Sequence, residues 1–358
     1  MSIIPIFIPH AGCPHQCVFC NQRTISGQSS AAYESAEQQL HKWLAIIKPH
    51  RENELAFYGG SFTGLEHALQ EKLLHMSDEL VEQGIINGVR LSTRPDYLSD
   101  AQLRFLNEHH VKLIELGVQS LDDKVLALAG RGHSAGCVFD AVKMLRRHNM
   151  TVGVQLMVGM QGQDDASVKE TARLVAEMRP DVARIYPLLV LRGTPLETRY
   201  MSGEFTPLNL DIAVEQSAYL YRKLTRHGVR VIRIGLQPDE ELCSPGNIIA
   251  GPFHPAMGEL VKSRVARQIV TAKLEHINLL GHKKAVISCS DRDESKLRGQ
   301  RNCNVKYWNK RFPNMRISII RETPSEVNTV VAEAENVIKY SDEVLILKER
   351  LNFNHNKI

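Results

Sequence analysis

The alternation of strand and helix patterns over residues 1 to about 235 restricts the fold of this chain most. Short runs rich in Val, Ile and Leu, bounded by Gly and Pro, alternate with stretches that have the apolar spacing of amphipathic helices. The predicted strands are 3–8, 54–58, 88–92, 111–117, 152–158, 182–189 and 229–234. The predicted helices are 34–47, 66–82, 99–109, 137–148, 166–178 and 208–227. Strands separated by helices in this way indicate βαβ units and a parallel sheet.

Six or seven such units curl toward a barrel, so we predict an α/β chain with a partial (β/α)6-type barrel. In such folds the chemistry lies at the C-terminal ends of the strands. Four motifs follow predicted strands: Gly59-Gly60-Ser61-Phe62, Ser92-Thr93-Arg94-Pro95-Asp96, Gly117-Val118-Gln119-Ser120 and Gly159-Met160-Gln161-Gly162. Simpler interpretations exist, since Gly-Gly alone is typical of a turn and Arg94 with Asp96 suits a turn-stabilising salt bridge.

Composition divides the chain into three predicted parts. Residues 1–235 form the barrel, and 236–280 form a loop-rich connector and a helix that cover the barrel mouth. Residues 281–358 form a small basic α+β domain with a β-α-α-β order, followed by a helix near 326–337 and a strand at 343–348. A length of 358 residues suits two domains or one large domain with an appendage.

Three cysteines, Cys13, Cys17 and Cys20, follow the first predicted strand with the spacing C-x3-C-x2-C. Three thiolates on one short loop can bind three irons of a [4Fe–4S] cluster. The fourth iron then lacks a protein ligand, as the open position of a catalytic metal does. A zinc site completed by His10 or His15 is the alternative interpretation, although no second ligand pair follows.

The remaining cysteines and the lack of long apolar runs predict the cellular compartment of the protein. Seven cysteines are an odd number, and the other four are scattered along the chain. The first residues lack the basic region of a secretory signal, so we expect free thiols and a cytoplasmic protein. No run approaches the ~20 apolar residues that cross a bilayer, and we expect no membrane partner.

Positive charge is concentrated near the C-terminus. Between residues 281 and 321 the chain has eleven Lys or Arg and three acidic residues, which gives +8 in a chain of net charge +4. The rest of the chain therefore carries about −4. A basic C-terminal segment on an otherwise mildly acidic chain indicates binding to a polyanionic partner.

The cysteine loop and the motifs that follow it resemble the radical S-adenosylmethionine (SAM) superfamily over roughly residues 1–260. Within it, the chain is most similar to the radical SAM domain of the elongator catalytic subunit. This likeness is carried by Ser92-Thr93-Arg94-Pro95-Asp96-Tyr97, Glu115-Leu116-Gly117-Val118-Gln119-Ser120, Arg131-Gly132-His133 and Ile185-Tyr186-Pro187-Leu188-Leu189-Val190-Leu191-Arg192-Gly193-Thr194. A weaker likeness to oxygen-independent coproporphyrinogen oxidases rests on Gly117-Val118-Gln119-Ser120 and Gly159-Met160-Gln161-Gly162-Gln163. The residues after the barrel show no acetyltransferase pattern, so that activity is not expected here.

The resemblance implies that Cys13, Cys17 and Cys20 bind the cluster and that SAM chelates its open iron. Phe19 matches the position that packs on adenine, and Arg131 matches the cation that pairs with the SAM carboxylate. The residues implied to contact SAM are Phe19, Gly59, Gly60, Ser61, Ser92, Gln119, Arg131 and Gln155. Ser92 replaces a glutamate of the elongator pattern, and Gln155 replaces an aspartate of the oxidase pattern, so we expect SAM to lie slightly differently.

The basic segment resembles the KH RNA-binding module, whose GXXG loop grips the sugar–phosphate backbone. Gly299 begins the corresponding loop, and Asn302, which tolerates left-handed backbone angles, replaces the second glycine. The candidate phosphate contacts are Lys296, Arg298, Arg301, Lys306 and Lys310. A solvated basic surface on a small ferredoxin-like cap is the alternative interpretation.

These features predict a radical SAM enzyme that forms a 5′-deoxyadenosyl radical and modifies RNA, with tRNA as the preferred substrate. An electron donor such as flavodoxin or ferredoxin is implied. His254, on the loop predicted to close the barrel mouth, is the candidate catalytic residue. Two alternatives remain open: a small metabolite or porphyrin-like substrate, and an RNA-binding protein with a structural cluster.

Overall fold

The computed structural model describes residues 2–8, 13, 17–21, 32–50, 52–238, 242–321 and 337–340. The chain forms two compact units, the first from residues 1–213 and 229–255, the second from residues 214–228 and 256–358. The three-part division made from the sequence stays a prediction. In the part of the chain described, helices are too short or too polar to cross a membrane.

A seven-stranded parallel sheet forms the centre of the first unit. Its order is β1-β2-β3-β4-β5-β6-β8, and a short antiparallel pair, β7 with β9, lies outside it. The strands are β1 Ile3–Phe7, β2 Glu54–Tyr58, β3 Gly88–Thr93, β4 Val111–Gln119, β5 Thr151–Val158, β6 Val182–Pro187, β7 Val190–Leu191, β8 Arg230–Ile234 and β9 Ile248–Ala250. The strand order follows the chain, as in half of a barrel, so the predicted partial α/β barrel is confirmed.

Helices connect the strands of this sheet. They are α1 Ala32–Leu44, α2 His67–Glu82, α3 Asp100–Glu108, α4 Asp123–Leu128, α5 Ala135–Arg147, α6 Asp165–Met178, α7 Pro195–Met201 and α8 Leu210–Arg226, the last of which begins in the first unit and continues into the second. Six of them begin at a side chain that accepts the N–H of the residue three positions on: Ser99, Asp122, Ser134, Asp164, Thr194 and Asn209. Such a cap stabilises a helix by about 1 kcal/mol.

One predicted strand is divided in two. The sequence predicted a strand over 182–189, whereas β6 ends at Pro187 and β7 begins at Val190. Proline has no N–H for a further ladder bond, so the pairing stops there. The chain then turns, and Val190 pairs with Ala250 of β9.

A buried ionic cluster ties the strands together. Glu115 of β4 is 1% exposed and accepts hydrogen bonds from Arg184 Nε at 2.5 Å, from Arg184 Nη2 at 3.0 Å and from Tyr58 Oη at 3.1 Å. Gln155 Nε2 donates to it at 3.3 Å, and Arg90 Nη1 lies 3.9 Å away. Burial and the Glu115 carboxylate raise the pKa of Tyr58, so its hydroxyl remains a donor at neutral pH. One carboxylate thus joins five neighbouring strands, β2 to β6.

The second unit contains a smaller parallel sheet with the order β11-β10-β12. Its elements are α9 Met257–Leu279, β10 Lys284–Cys289, α10 Asp291–Arg298, α11 Cys303–Arg311, β11 Arg316–Arg321 and β12 Val337–Tyr340. The predicted β-α-α-β order is present in β10 to β11. Trp308 is fully buried in its core, and its Nε1 donates to Thr271 Oγ1 at 3.0 Å. The predicted strand at 343–348, and the predicted helix near 326–337 apart from Val337, lie outside the described residues.

Replacing Glu115 by Ala should lower the free energy of unfolding by about 3–5 kcal/mol, because it leaves the Arg184 guanidinium buried without its carboxylate. Urea unfolding followed by circular dichroism measures this. Glu170→Ala is the matched control, since it removes an exposed partner of Arg173 and should hardly move the midpoint. Identical midpoints for the wild type and Glu115→Ala would contradict a stabilising role for the cluster.

Candidate functional site

The second and third cysteines lie on a segment that backbone hydrogen bonds anchor to two helices. Val18 N–H donates to Ala129 O, next to the end of α4, at 3.1 Å, and Leu196 N–H of α7 donates to Val18 O at 2.8 Å. Cys20 N–H donates to Cys17 O at 3.0 Å, which places the two cysteines in one turn. The segment follows β1 and meets the region beyond the C-terminal end of β4, the edge where the sequence placed the site.

A buried arginine contacts one of the cysteine thiols. Cys17 is 6% exposed, and Arg131 Nη1 donates to its Sγ at 3.2 Å, while Arg131 Nη2 donates to Gly117 O. Cys13 is an exposed residue, but partial desolvation of its thiol and the neighbouring Cys17 raise its pKa, and the guanidinium groups of Arg94 and Arg131 oppose that rise. Metal binding requires thiolates, so loading this site releases protons, and the nearby cations favour the deprotonated state.

The donor set fits an iron–sulfur cluster and a bound carboxylate. Thiolates are the usual ligands of such clusters, and a guanidinium beside them offsets negative charge. Arg131 Nε is buried and has no hydrogen-bond partner within the described residues, so the side chain keeps a donor for a bound acceptor. His10 and His15, the alternative zinc ligands, lie outside the described residues.

Gly59 follows β2 where the chain passes close to β1. Its φ is +102°, and a Cβ there would lie 3.1 Å from Ile8 N and 3.2 Å from Ile8 C and O. A side chain is therefore disfavoured both by the backbone angle and by this contact. Next to it is a small cavity lined by Ile8, Phe57, Tyr58, Gly60, Ser61, Phe62, Leu65 and Ser92.

The Ser61 hydroxyl is engaged within the protein. Its Oγ lies 2.8 Å from Thr93 Oγ1 and accepts the Arg94 N–H at 3.2 Å, so it joins the loops that follow β2 and β3. The Ser92 side chain is half-buried, and its Oγ is 3.5 Å from Phe57 O. Ser61 and Ser92, with Gly60, meet at one cavity, and their contact with SAM stays a prediction.

Gln119 ends β4 in an unusual backbone conformation. Its φ is +65°, it is buried, and the pairing of β4 with β5 shifts between Gly117 and Gln119. A Cβ on Gly117 would lie 3.2 Å from Arg131 Nη2 and 3.3 Å from Gln119 Nε2, so these two side chains meet over the glycine. A left-handed non-glycine residue costs about 1–3 kcal/mol and is typical of functional sites.

Arg94 joins the turn that follows β3 to the backbone of Arg131. Its Nε and Nη2 donate to the Asp96 carboxylate at 2.9 and 2.7 Å, which is the turn-stabilising salt bridge considered from the sequence. The same Nη2 donates to Arg131 O at 2.6 Å. Arg94 therefore holds the backbone of the residue that contacts Cys17.

Three further predicted residues make contacts other than those expected of them. Gln155 belongs to the buried ionic cluster, where it donates to Glu115. Phe19 is half-buried and packs on the apolar cluster that includes Met157 and Leu188. His254 is half-buried and follows β9, which pairs with β7 beyond the end of β6. The roles suggested for all three stay predictions.

The five candidate phosphate contacts lie in the second unit. Lys296 Nζ is paired with Asp293 at 2.8 Å, and Arg298 Nε with Glu294 at 2.7 Å. The other three side chains are exposed; they are Arg301, Lys306 and Lys310. The loop between α10 and α11 has left-handed angles at Arg301 and Asn302, with φ values of 52° and 58°.

Sequence reasoning missed the ionic cluster of Tyr58, Glu115 and Arg184. The available signal was a charged residue between apolar neighbours in each of two strands, β4 and β6, which lie on either side of β5. Glu115 lies between Ile114 and Leu116, and Arg184 lies between Ala183 and Ile185, all four of them fully buried. Such positions face the inside of a barrel rather than water.

Comparison with known proteins matches residues 7–175 to the Radical SAM superfamily and residues 180–267 to the Radical_SAM C-terminal domain. An uncharacterized protein of Methanocaldococcus jannaschii is 30% identical over 210 residues, which cover 55% of this chain and 64% of the relative. A tRNA uridine(34) acetyltransferase of Methanocaldococcus infernus is 26% identical over 324 residues, 79% of this chain and 59% of the relative. The chain thus matches less than two thirds of the length of either relative.

The fold also resembles a solved structure. The archaeal Methanocaldococcus infernus Elp3 with an N-terminal deletion superposes with a TM-score of 0.60 at 24% identity, over 75% of this chain and 63% of that one. At 24% identity, this likeness is evidence for a shared fold alone.

Gly59→Ala should destabilise the protein more than Gly203→Ala, as urea unfolding would measure. Gly203 has a similar φ of +79° but has open space around it, so alanine there meets only the left-handed cost of about 1–2 kcal/mol. At Gly59 the contact with the Ile8 backbone adds to that cost. A smaller effect at Gly59 than at Gly203 would show that the close approach to Ile8 does not restrict this turn.

Proposed function

We propose that this chain, which belongs to the radical SAM superfamily, binds a [4Fe–4S] cluster through Cys13, Cys17 and Cys20 and cleaves SAM. The observation that carries the proposal is the contact between Arg131 and the buried Cys17 thiol at the C-terminal edge of the sheet. When bound, the cluster supplies the single electron by which SAM is split into methionine and a 5′-deoxyadenosyl radical.

The protein residues bind and orient SAM. Arg131 pairs with the SAM carboxylate, since its guanidinium is buried and retains a donor at Nε. Gln119 lies against Arg131 and adds an amide to the same surface. Gly59 and Gly60 allow the backbone to approach the SAM amino group where a side chain would obstruct it. Ser92, at the cavity beside Gly60, offers one hydroxyl to the ribose.

The apolar cluster around Phe19 excludes water from this edge. Phe19, like Tyr186 and Ile249, packs against the buried cluster that includes Met157, Met160 and Leu188. A radical that abstracts hydrogen needs such a dry pocket, because side reactions compete with the intended substrate. Phe19 gives adenine a flat apolar face there.

Cluster-loaded protein with dithionite and SAM under anaerobic conditions should release 5′-deoxyadenosine, and Cys17→Ala should abolish the release. Liquid chromatography of the quenched reaction measures the product. Cys243→Ala is the matched control, since it removes an exposed thiol elsewhere and should leave the yield unchanged. Equal yields from the wild type and Cys17→Ala would overturn the enzyme proposal and favour a structural cluster.

The proposed substrate class is RNA, with tRNA preferred. Relatives in Methanocaldococcus infernus and Dehalococcoides mccartyi carry the name tRNA uridine(34) acetyltransferase, and acetyl transfer is not part of this proposal. The second unit supports the substrate class through its exposed cations Arg301, Lys306 and Lys310. Phosphate contacts of this kind supply affinity without base specificity.

Binding of bulk tRNA should weaken with salt, and the double variant of Arg301→Gln and Lys306→Gln should flatten the log–log salt dependence by about 1–2 units. Filter binding over a salt series measures this. The charge-matched control combines Lys284→Gln and Arg316→Gln, exposed positions on β10 and β11, and should bind nearly as the wild type does. Equal effects of both pairs would exclude a specific contact at the α10–α11 loop.

A further inference from the structure

Three metal-ligating side chains meet on the outer helices of the first unit. His75 and Asp78 are three residues apart on α2 and therefore share a face, and His109 immediately follows the last turn of α3. His109 Nδ1 lies 2.6 Å from Asp78 Oδ2, and His75 Nδ1 lies 3.6 Å from the same oxygen. The three ligand atoms all lie within 4.8 Å of one another. None of these residues belongs to the cysteine site.

The cluster has an unused ligand atom. Asp78 Oδ1 is buried and accepts no hydrogen bond from any residue that the structure describes. A buried carboxylate oxygen without a partner costs free energy, which a cation can recover. Solvent can reach the site from one side, because the side chain of His75 is 63% exposed whereas those of Asp78 and His109 are 20% and 14% exposed.

The position of His109 is fixed by its neighbours. Its ring contacts Phe105 with the centroids 4.8 Å apart, and the His75 ring meets it edge-on at 5.2 Å. Phe105 in turn packs on His67 at 4.7 Å. His109 is thus held by packing, and the exposed His75 side chain has room to turn toward the site.

We propose that His75, Asp78 and His109 bind a divalent cation of the zinc class, with water in the fourth position. Two imidazole nitrogens and one carboxylate oxygen form a ligand set that Zn²⁺ accepts, with bonds of about 2.1 Å. Tetrahedral binding then places the ligand atoms about 3.4 Å apart. Asp78 Oδ2 therefore moves away from its 2.6 Å contact with His109 Nδ1, and the exposed His75 side chain turns toward both. Binding replaces the hydrogen bond between His109 Nδ1 and Asp78 Oδ2, and the neutral imidazole then carries its proton on Nε2.

The bound ion would join α2 to the end of α3. These helices flank β3, whose following turn contains Arg94 and Asp96. An ion that binds the folded chain alone stabilises it by mass action. The site therefore acts on the stability of the first unit and is separate from SAM cleavage.

The test is a calorimetric titration with Zn²⁺, with protein whose cysteines are already occupied by reconstituted cluster. We expect a single Zn²⁺ per chain at this site, and a rise in melting temperature. His75→Ala and Asp78→Asn should each weaken binding by at least about tenfold and abolish the thermal shift. The matched control is His41→Ala, which removes an exposed imidazole on α1 and should change neither.

Because His75 is exposed, its replacement separates loss of the proposed ion site from loss of the fold. Its replacement should leave the fold intact, which circular dichroism of His75→Ala verifies. Unchanged Zn²⁺ affinity in folded His75→Ala would overturn the proposal, as would the lack of any Zn²⁺ binding by the cluster-loaded wild type. In both cases the three side chains form only a hydrogen-bonded cluster.

Discussion

The buried carboxylate of Glu115 is the interaction on which the curved sheet depends. A lone charge inside a protein is costly, and here Arg184, Tyr58, Gln155 and Arg90 surround it from four other strands. The polar groups can be satisfied only when those strands have the observed register and curvature. Because all of them converge on one carboxylate, the cluster favours one arrangement of the half-barrel over slipped alternatives.

This arrangement also explains the form of the candidate site. The strands end at one edge, where β4 finishes in the left-handed Gln119 and the β2 turn passes close to Ile8 through Gly59. Arg131 then spans from Gly117 O to the Cys17 thiol. The site is therefore assembled on rigid strand ends, and its strained positions are supported by the packed sheet beneath them.

The sequence predicted the strands well because most are apolar on both faces. Expected strands at 88–92 and 111–117 correspond to β3 Gly88–Thr93 and β4 Val111–Gln119. Helix α4, Asp123–Leu128, was missed because six residues are too few to show a helical period. The cysteine spacing indicated a metal-binding loop, but the contact with Arg131 could not be read from it. Side-chain contacts between distant strands, such as Glu115 with Arg184, depend on register and not on local pattern.

The order of the sheet has a consequence for synthesis of the protein. Each strand from β2 to β6 pairs with the strand made just before it, so the sheet can grow as the chain leaves the ribosome. The cysteine segment is made early, but its supports come late: Arg131 is 114 residues beyond Cys17, and Ala129 lies beside it in sequence. The cysteine thiols of the growing chain therefore lack Arg131 until the residues after α4 have been made, and the second backbone anchor, Leu196 of α7, follows later still. Insertion of the proposed cluster would then follow the synthesis of these supports, because a metal that arrives earlier meets cysteines that lack them.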